Sequence, residues 1–203
     1  MKYIIIIIAI TLSLKVNAGE FEEKIVKAAI ERTDHFVIYN GAYLSIDYPN
    51  GDVPANIGVC TDVIIRSYRT LKIDLQKLVH EDMLANFDEY PSKRIWGLNK
   101  TDRNIDHRRV PNLQTFFKRH GKVLSKSDNP DDYKPGDIVT WMLAGNLPHI
   151  GIVVDQINPK TGNPYIVHNI GLGPQKEGML FDYTITGHYK FIPENFIDEN
   201  KSD

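Results

Sequence analysis

The apolar pattern of this chain changes period once along its length, and that change bounds the architecture more tightly than any other feature. Over Glu20–Arg32, apolar residues recur at Phe21, Ile25, Ala28 and Ala29 with charges between them. This spacing predicts an amphipathic helix. Cys60–Leu71 repeats the pattern with Val63, Ile64, Tyr68 and Leu71 on one face. A third helix is predicted over Leu75–Phe87, and a short fourth over Asn112–Arg119, ended by Gly121. Val37–Pro54, with aromatics spaced by Asn, Gly, Asp and Pro, reads as extended or looping chain. Further on, Asp137–Leu143, His149–Asp155, Tyr165–Ile170, Gly178–Tyr183 and His188–Ile192 are short β-rich runs divided by turn residues, including Asn158–Pro164. Helices followed by consecutive strands predict an α+β fold with an antiparallel sheet of five to six strands.

The first residues speak to compartment. Met1, Lys2 and Tyr3 precede Ile4–Ile10, and the apolar run fades by Leu14, with Val16 and Ala18 at small-residue spacing. A positive start, a short apolar core and a small residue predict a secretory signal peptide over residues 1–18. About a dozen apolar residues fall short of the roughly 20 of a spanning helix. The expected mature chain, Gly19–Asp203, suits one domain, located in the periplasm or secreted, with no stable membrane insertion. The formal charge is −2 at pH 7, and loss of Lys2 and Lys15 makes it more acidic. A mildly acidic chain does not fit nucleic-acid binding.

There is one cysteine. An exported chain with a single thiol makes no internal disulfide, so that thiol is either buried and inert or kept for reactivity. Cys60 stands where a helix starts. Partial positive charge at a helix N-terminus favours a thiolate, so its pKa is expected below the usual value of about 8.5. His149 begins a strand run, and His168 sits on the next. If those strands pair, His168 stands beside His149 and orients it, unless Asn169 faces it instead. Cys60 then serves as nucleophile, His149 as base and His168 as orienting group.

Three strings carry a resemblance: Lys134-Pro135-Gly136-Asp137-Ile138-Val139-Thr140-Trp141, then His149-Ile150-Gly151-Ile152-Val153, then Ile166-Val167-His168. With Cys60 opening a helix, they resemble the NlpC-type cell-wall cysteine peptidases, which have a papain-like core. The resemblance implies a nucleophile-bearing helix packed on the sheet, with Cys60, His149 and His168 in family order. That family usually carries an acidic residue before the cysteine and Ser-Gly after it. Here the string is Gly58-Val59-Cys60-Thr61-Asp62, so its substrate contacts do not transfer. Gly58–Val63 and Asn104–Leu113 more closely resemble the family catalogued as domain of unknown function 1287, over nearly the whole mature chain.

Asp106-His107-Arg108-Arg109 is the other unusual cluster. Adjacent arginines fit bidentate capture of a carboxylate, and stem peptides of the wall carry free carboxylates; a structural ion network accounts for it equally well. Asp62 is likewise either a substrate contact or a first-turn residue. His80, Glu81, Asp82, His35, His120 and His188 read as surface. The enzyme reading therefore expects amide cleavage in peptidoglycan or its peptide fragments, as an endopeptidase or a sugar–peptide amidase, with no cofactor and no metal. Two other readings stand beside it. One is a non-catalytic wall-binding module on a degenerate peptidase fold. The other is a zinc-binding domain using one Cys and two His, although no Cys-x-x-Cys or His-x-x-x-His pair supports it.

Overall fold

The computed structural model of the chain describes residues 10–194 and 196, and side chains from Gly19 onward. The first nine residues of the expected signal peptide and the polar C-terminal tail lie outside the described residues. Helix α1 (Ile10–Glu31) runs without a break through the expected cleavage point. Among the described residues, no helix is long and apolar enough to cross a membrane.

The other helices are α2 (Cys60–Thr70), α3 (Leu75–Ala85), α4 (Ser92–Trp96) and α5 (Val110–His120). The strands are β1 (Ile38–Tyr39), β2 (Ile57–Gly58), β3 (Lys122–Val123), β4 (Ile138–Leu143), β5 (Leu147–Ile157), β6 (Pro164–His168), β7 (Gln175–Glu177) and β8 (Thr184–Lys190). The last six form one antiparallel sheet in the order β3-β8-β4-β5-β6-β7. β1 and β2 make a separate two-stranded parallel pair. The fold is therefore α+β with a six-stranded antiparallel sheet.

Two elements differ from the sequence reading. Gly178–Tyr183 is turn rather than strand, and β7 lies just before it. Met179 and Leu180 are buried under the sheet with Trp141, and Trp141 donates its indole N–H to the Leu180 carbonyl at 2.9 Å. Their apolar character thus reflects core packing, not a ladder. α4 was not expected; it is one short turn of helix closed by Gly97 at φ +66.

The sheet has two apolar faces. Ile138, Ile150, Ile152, Val154 and Val167 point to the helices and share the main core with Phe21, Ile25, Tyr68, Leu113 and Phe117. Val139, Trp141, Val153 and Ile166 point the other way and pack on Tyr133, Met179 and Leu180. This alternation is the period-2 signature of a strand. Burying each large side chain of this kind contributes about 1.5–3 kcal/mol, and both faces are covered.

α2 is buried over nine successive residues, Cys60 to Tyr68. Such a helix must satisfy its own polar groups. Ser67 donates back to the Val63 carbonyl at 2.7 Å. Arg66 pairs with Asp52 at 3.0 Å and donates to the carbonyls of Val53, Pro54 and Ile57. It thereby fixes the loop that leads into Cys60. Two residues read as surface are anchors instead. The Asp82 carboxylate accepts from Tyr90, Asn86 and Arg119, which ties α3 to α5. His188 is buried between the Asp137 carboxylate at 2.8 Å and the Ser125 carbonyl at 2.7 Å.

Candidate functional site

Cys60 is the first residue of α2, and Val59 ahead of it is extended at φ −125. Valine has no acceptor with which to cap the helix. The cap comes from inside, where the Asp62 carboxylate accepts the Val59 N–H at 2.6 Å. The same carboxylate takes two bonds from the Arg108 guanidinium, Nε and Nη2 each at 2.9 Å. Both side chains are almost fully buried, at 3% and 2% exposure. Thr61 adds a bond to the Arg108 carbonyl at 3.1 Å. The first turn of the cysteine helix is thus clamped to the 3-10 turn Asp106–Arg108.

The rest of that cluster is also occupied internally. Asp106 accepts from the Asp102 N–H at 2.5 Å and from Arg109 at 2.9 Å, while its carbonyl accepts from Asn112. Arg109 lies 4.5 Å over the Trp96 ring. Burial, with Arg108 second, pushes the His107 imidazole down to about 3, so it is neutral. Burial also raises the Asp106 carboxyl. Of the five residues considered for substrate carboxylates, Arg108 has its fork filled by Asp62, and Asp106 and His107 are inside the protein. Arg109 is the most open of the cluster's ionic groups, with its side chain 20% exposed.

The histidines lie on adjacent antiparallel strands, β5 and β6, in the register Gly151↔His168. His149 therefore sits diagonally across from His168 on the same face, the face that also carries Trp141. His149 Nε2 and His168 Nδ1 are 3.0 Å apart, with the rings nearly perpendicular at 89°. Gly151 makes this possible. A Cβ there would lie 2.6 Å from Ile166 Cγ2 and 3.2 Å from His168 Cβ, so only glycine leaves the space between the two rings. His168 Nε2 continues to the Glu177 carboxylate on β7 at 2.9 Å. The arrangement is a hydrogen-bonded chain of His149, His168 and Glu177. Burial pushes His149 down to about 3, with His168 adding to the effect. Burial lowers His168 as well, and Glu177 opposes that.

The Cys60 thiol meets β5 one residue further on. The Ile150 backbone N–H faces the sulfur, as do the N–H groups of Thr61 and Cys60. Burial dominates nonetheless: Cys60 is 5% exposed, and its thiol is pushed up to about 12. The lowered pKa expected from the helix N-terminus is overturned, because desolvation of a charged sulfur outweighs the donors around it. Among the described residues no hydrogen bond joins the thiol to the His149 ring. The Tyr39 hydroxyl also faces the thiol. β1 pairs with β2 at Tyr39↔Gly58, which brings the ring beside the start of α2. Tyr39 is raised to about 12, first by burial and then by Cys60, and 44% of the residue is exposed. Among the described residues Asn169, the alternative third residue, makes no bond to His149; its side-chain nitrogen is buried with no partner among them, and its Oδ1 accepts from the Gly171 N–H.

Glu177 and Tyr39 were missed by sequence reasoning. Glu177 lies in a Gln-Lys-Glu string that carries no apolar alternation. Tyr39 was one aromatic among several in a looping stretch. Among the described residues no group of three or more His, Cys, Asp or Glu side chains is arranged to hold a metal ion.

A family model described as Domain of unknown function (DUF1287) matches residues 26–191. The chain is also 53% identical over 156 residues to a protein of Escherichia coli (strain K12) named "Uncharacterized protein YijF", covering 77% of this chain and 75% of that protein.

Proposed function

The chain belongs to the domain of unknown function 1287 family, and for this member we propose a secreted cysteine hydrolase with a papain-like site that cleaves amide bonds in peptidoglycan stem peptides. One observation carries the reading: Cys60 opens α2 with its thiol facing the β5 backbone at Ile150, one residue along the strand from His149, whose Nε2 is engaged by His168. That leaves His149 Nδ1 as the nitrogen free to serve as base.

Both partners rest neutral, since burial raises the thiol and lowers the imidazole. Proton transfer therefore accompanies attack, as for a hydroxyl nucleophile, rather than preceding it. The thiol proton passes to His149 Nδ1 as Sγ bonds to the amide carbon. The tetrahedral oxyanion is met by backbone N–H groups at the start of α2, with the Tyr39 hydroxyl at the mouth. His149 then returns the proton to the leaving amine as the C–N bond breaks. Water hydrolyses the thioester with the same imidazole as base. Cleavage between stem-peptide residues is the first choice of bond and sugar–peptide amide the second. The signal-peptide pattern of residues 1–18 supports delivery to that substrate.

The test is digestion of purified peptidoglycan by the mature protein, with released fragments identified by mass. Wild type is expected to release peptides or stem-free glycan. Cys60→Ser and His149→Ala abolish release, and His168→Ala reduces it less. An intact sacculus after prolonged incubation with folded wild type sinks the proposal. A second reading, a wall-binding module with an inert cysteine, is favoured by the 5% exposure of Cys60 and the missing sulfur–imidazole bond. It requires sacculus binding that survives Cys60→Ala, with no hydrolysis by wild type.

A further inference from the structure

We propose that Glu177 is a positioning residue that sets the tautomers of two imidazoles in series, and so keeps a lone pair on His149 Nδ1. The inference rests on His149 serving as base in the function proposed above. The donor and acceptor capacity of each atom fixes the arrangement. A carboxylate has no proton to give, so the 2.9 Å contact between Glu177 Oε2 and His168 Nε2 requires His168 Nε2 to donate. The His168 ring is fully buried and held toward its neutral form, and a neutral imidazole with its proton on Nε2 has only a lone pair on Nδ1. At 3.0 Å from His149 Nε2, that lone pair requires His149 Nε2 to donate in turn. His149 is neutral as well, so its remaining nitrogen, Nδ1, is left unprotonated. The protons are thus placed in series, starting from the carboxylate, the one group of the three that cannot donate.

Take the carboxylate away and the constraint disappears. His168 then places its proton on either nitrogen. When it chooses Nδ1, that proton points at His149 Nε2, which must accept, and His149 carries its own proton on Nδ1. The base is then blocked by a proton two hydrogen bonds from the altered residue. Glu177 suits this role because it is an acceptor with its side chain 46% exposed at the edge of the sheet, while the rings it orders stay buried. Among the described residues its side-chain hydrogen bond goes to His168, and it acts through that ring.

The experiment reads the ring nitrogens of His149 and His168 by NMR of 15N-imidazole-labelled mature protein at neutral pH. His149→Ala and His168→Ala assign the signals. Wild type is expected to show both rings as single Nε2–H tautomers. Glu177→Ala should give mixed tautomers at both rings, with the backbone spectrum otherwise preserved. Glu177→Gln, whose amide either accepts or donates, should fall between the two. If both rings stay Nε2–H in Glu177→Ala, the inference is overturned; the same holds if only His168 responds, because the chain then does not transmit. The readout needs no turnover. A wild type that shows the expected tautomers yet releases nothing from peptidoglycan overturns the hydrolase reading alone. In an active wild type, Glu177→Ala should lower kcat at least tenfold with KM little changed, and Glu177→Gln should recover part of that loss.

Discussion

Two networks of ionisable side chains, one on the first turn of the cysteine helix and one across strands β5, β6 and β7, are built on opposite plans. The cluster of Asp62, Asp106, Arg108 and Arg109 is closed. Its central pair, Arg108 and Asp62, is joined by two bonds of 2.9 Å, and the second carboxylate oxygen also caps Val59. The chain of Glu177, His168 and His149 is open at both ends. It starts from a half-exposed carboxylate and finishes at an imidazole nitrogen that His168 does not use. A network with its bonding capacity filled stabilises one conformation. A network with capacity left over at a buried ring has something to offer a reacting group. Scaffold and candidate site are thereby distinguished, although both join a carboxylate to buried basic side chains.

The largest expected effect tests the closed network. Asp62→Ala removes the helix cap and leaves the Arg108 guanidinium buried without its partner. Breaking a buried pair in this way costs about 3–5 kcal/mol. A urea titration should show the midpoint falling accordingly, with the slope unchanged. A loss below about 1 kcal/mol would remove the contrast between the networks.

Acid should strike both networks, and by a known sign. His107 in the closed cluster and His149 in the open chain each sit near 3 when folded, below an unfolded value of about 6.5. A histidine depressed by folding is neutral in the native state, and the unfolded chain binds its proton more readily. Its stabilising contribution is complete above about pH 6.5 and is lost as pH falls toward 3. Each ring should therefore cost about 3 kcal/mol of stability between pH 7 and pH 4. His107→Gln and His149→Gln should each flatten part of that slope. A flat profile over the window would mean the two rings are hydrated in solution.

The Cys60 thiol gives a smaller effect. With Cys60 buried and its pKa raised to about 12, iodoacetamide at pH 8 should alkylate the folded protein at least about tenfold more slowly than a free thiol. Full reactivity should return in denaturant. Labelling faster than a free thiol would point instead to a thiolate stabilised by the helix N-terminus.

What could be read from the chain follows the same division. The change of apolar period located α2, α3, α5 and the strands β4, β5, β6 and β8, because each of those elements buries a face. The diagonal of His149 and His168 was accessible because the Asn158–Pro164 turn marks a hairpin between their strands. The partners at the ends of the networks were not accessible. Arg108 with Asp62 is a contact across 46 positions, and nothing in the local pattern says which charge an arginine will meet. Glu177 is a polar residue on a short edge strand, where alternation carries no signal. The burial of Cys60 was also out of reach, since a helix N-terminus lowers a thiol pKa only where the sulfur remains solvated. The Gly178–Tyr183 misassignment has the same root: Met179 and Leu180 are apolar to fill the core, and a packed turn shares that composition with a strand.

The smallest expected effect falls on the outermost member of the open chain, and it is the one that separates a tuning role from a supporting one. Glu177 is 46% exposed and bonds to His168 through a single oxygen. Exposure returns water to the carboxylate when its partner is lost, so an exposed charge contributes little to stability, typically under about 1 kcal/mol. The case differs from Asp62, where removal strands a buried guanidinium. In Glu177→Ala the ring left behind is a neutral imidazole, whose Nε2 faces the position vacated by the side chain and is rehydrated there. The mutation also leaves no cavity, because the lost methylenes lay at the surface. Denaturant melts of Glu177→Ala should therefore fall within about 1 kcal/mol of wild type, several-fold less than Asp62→Ala. A Glu177→Ala loss as large as that of Asp62→Ala would show that the carboxylate is part of the fold's support, and the two networks would then differ in position but not in kind.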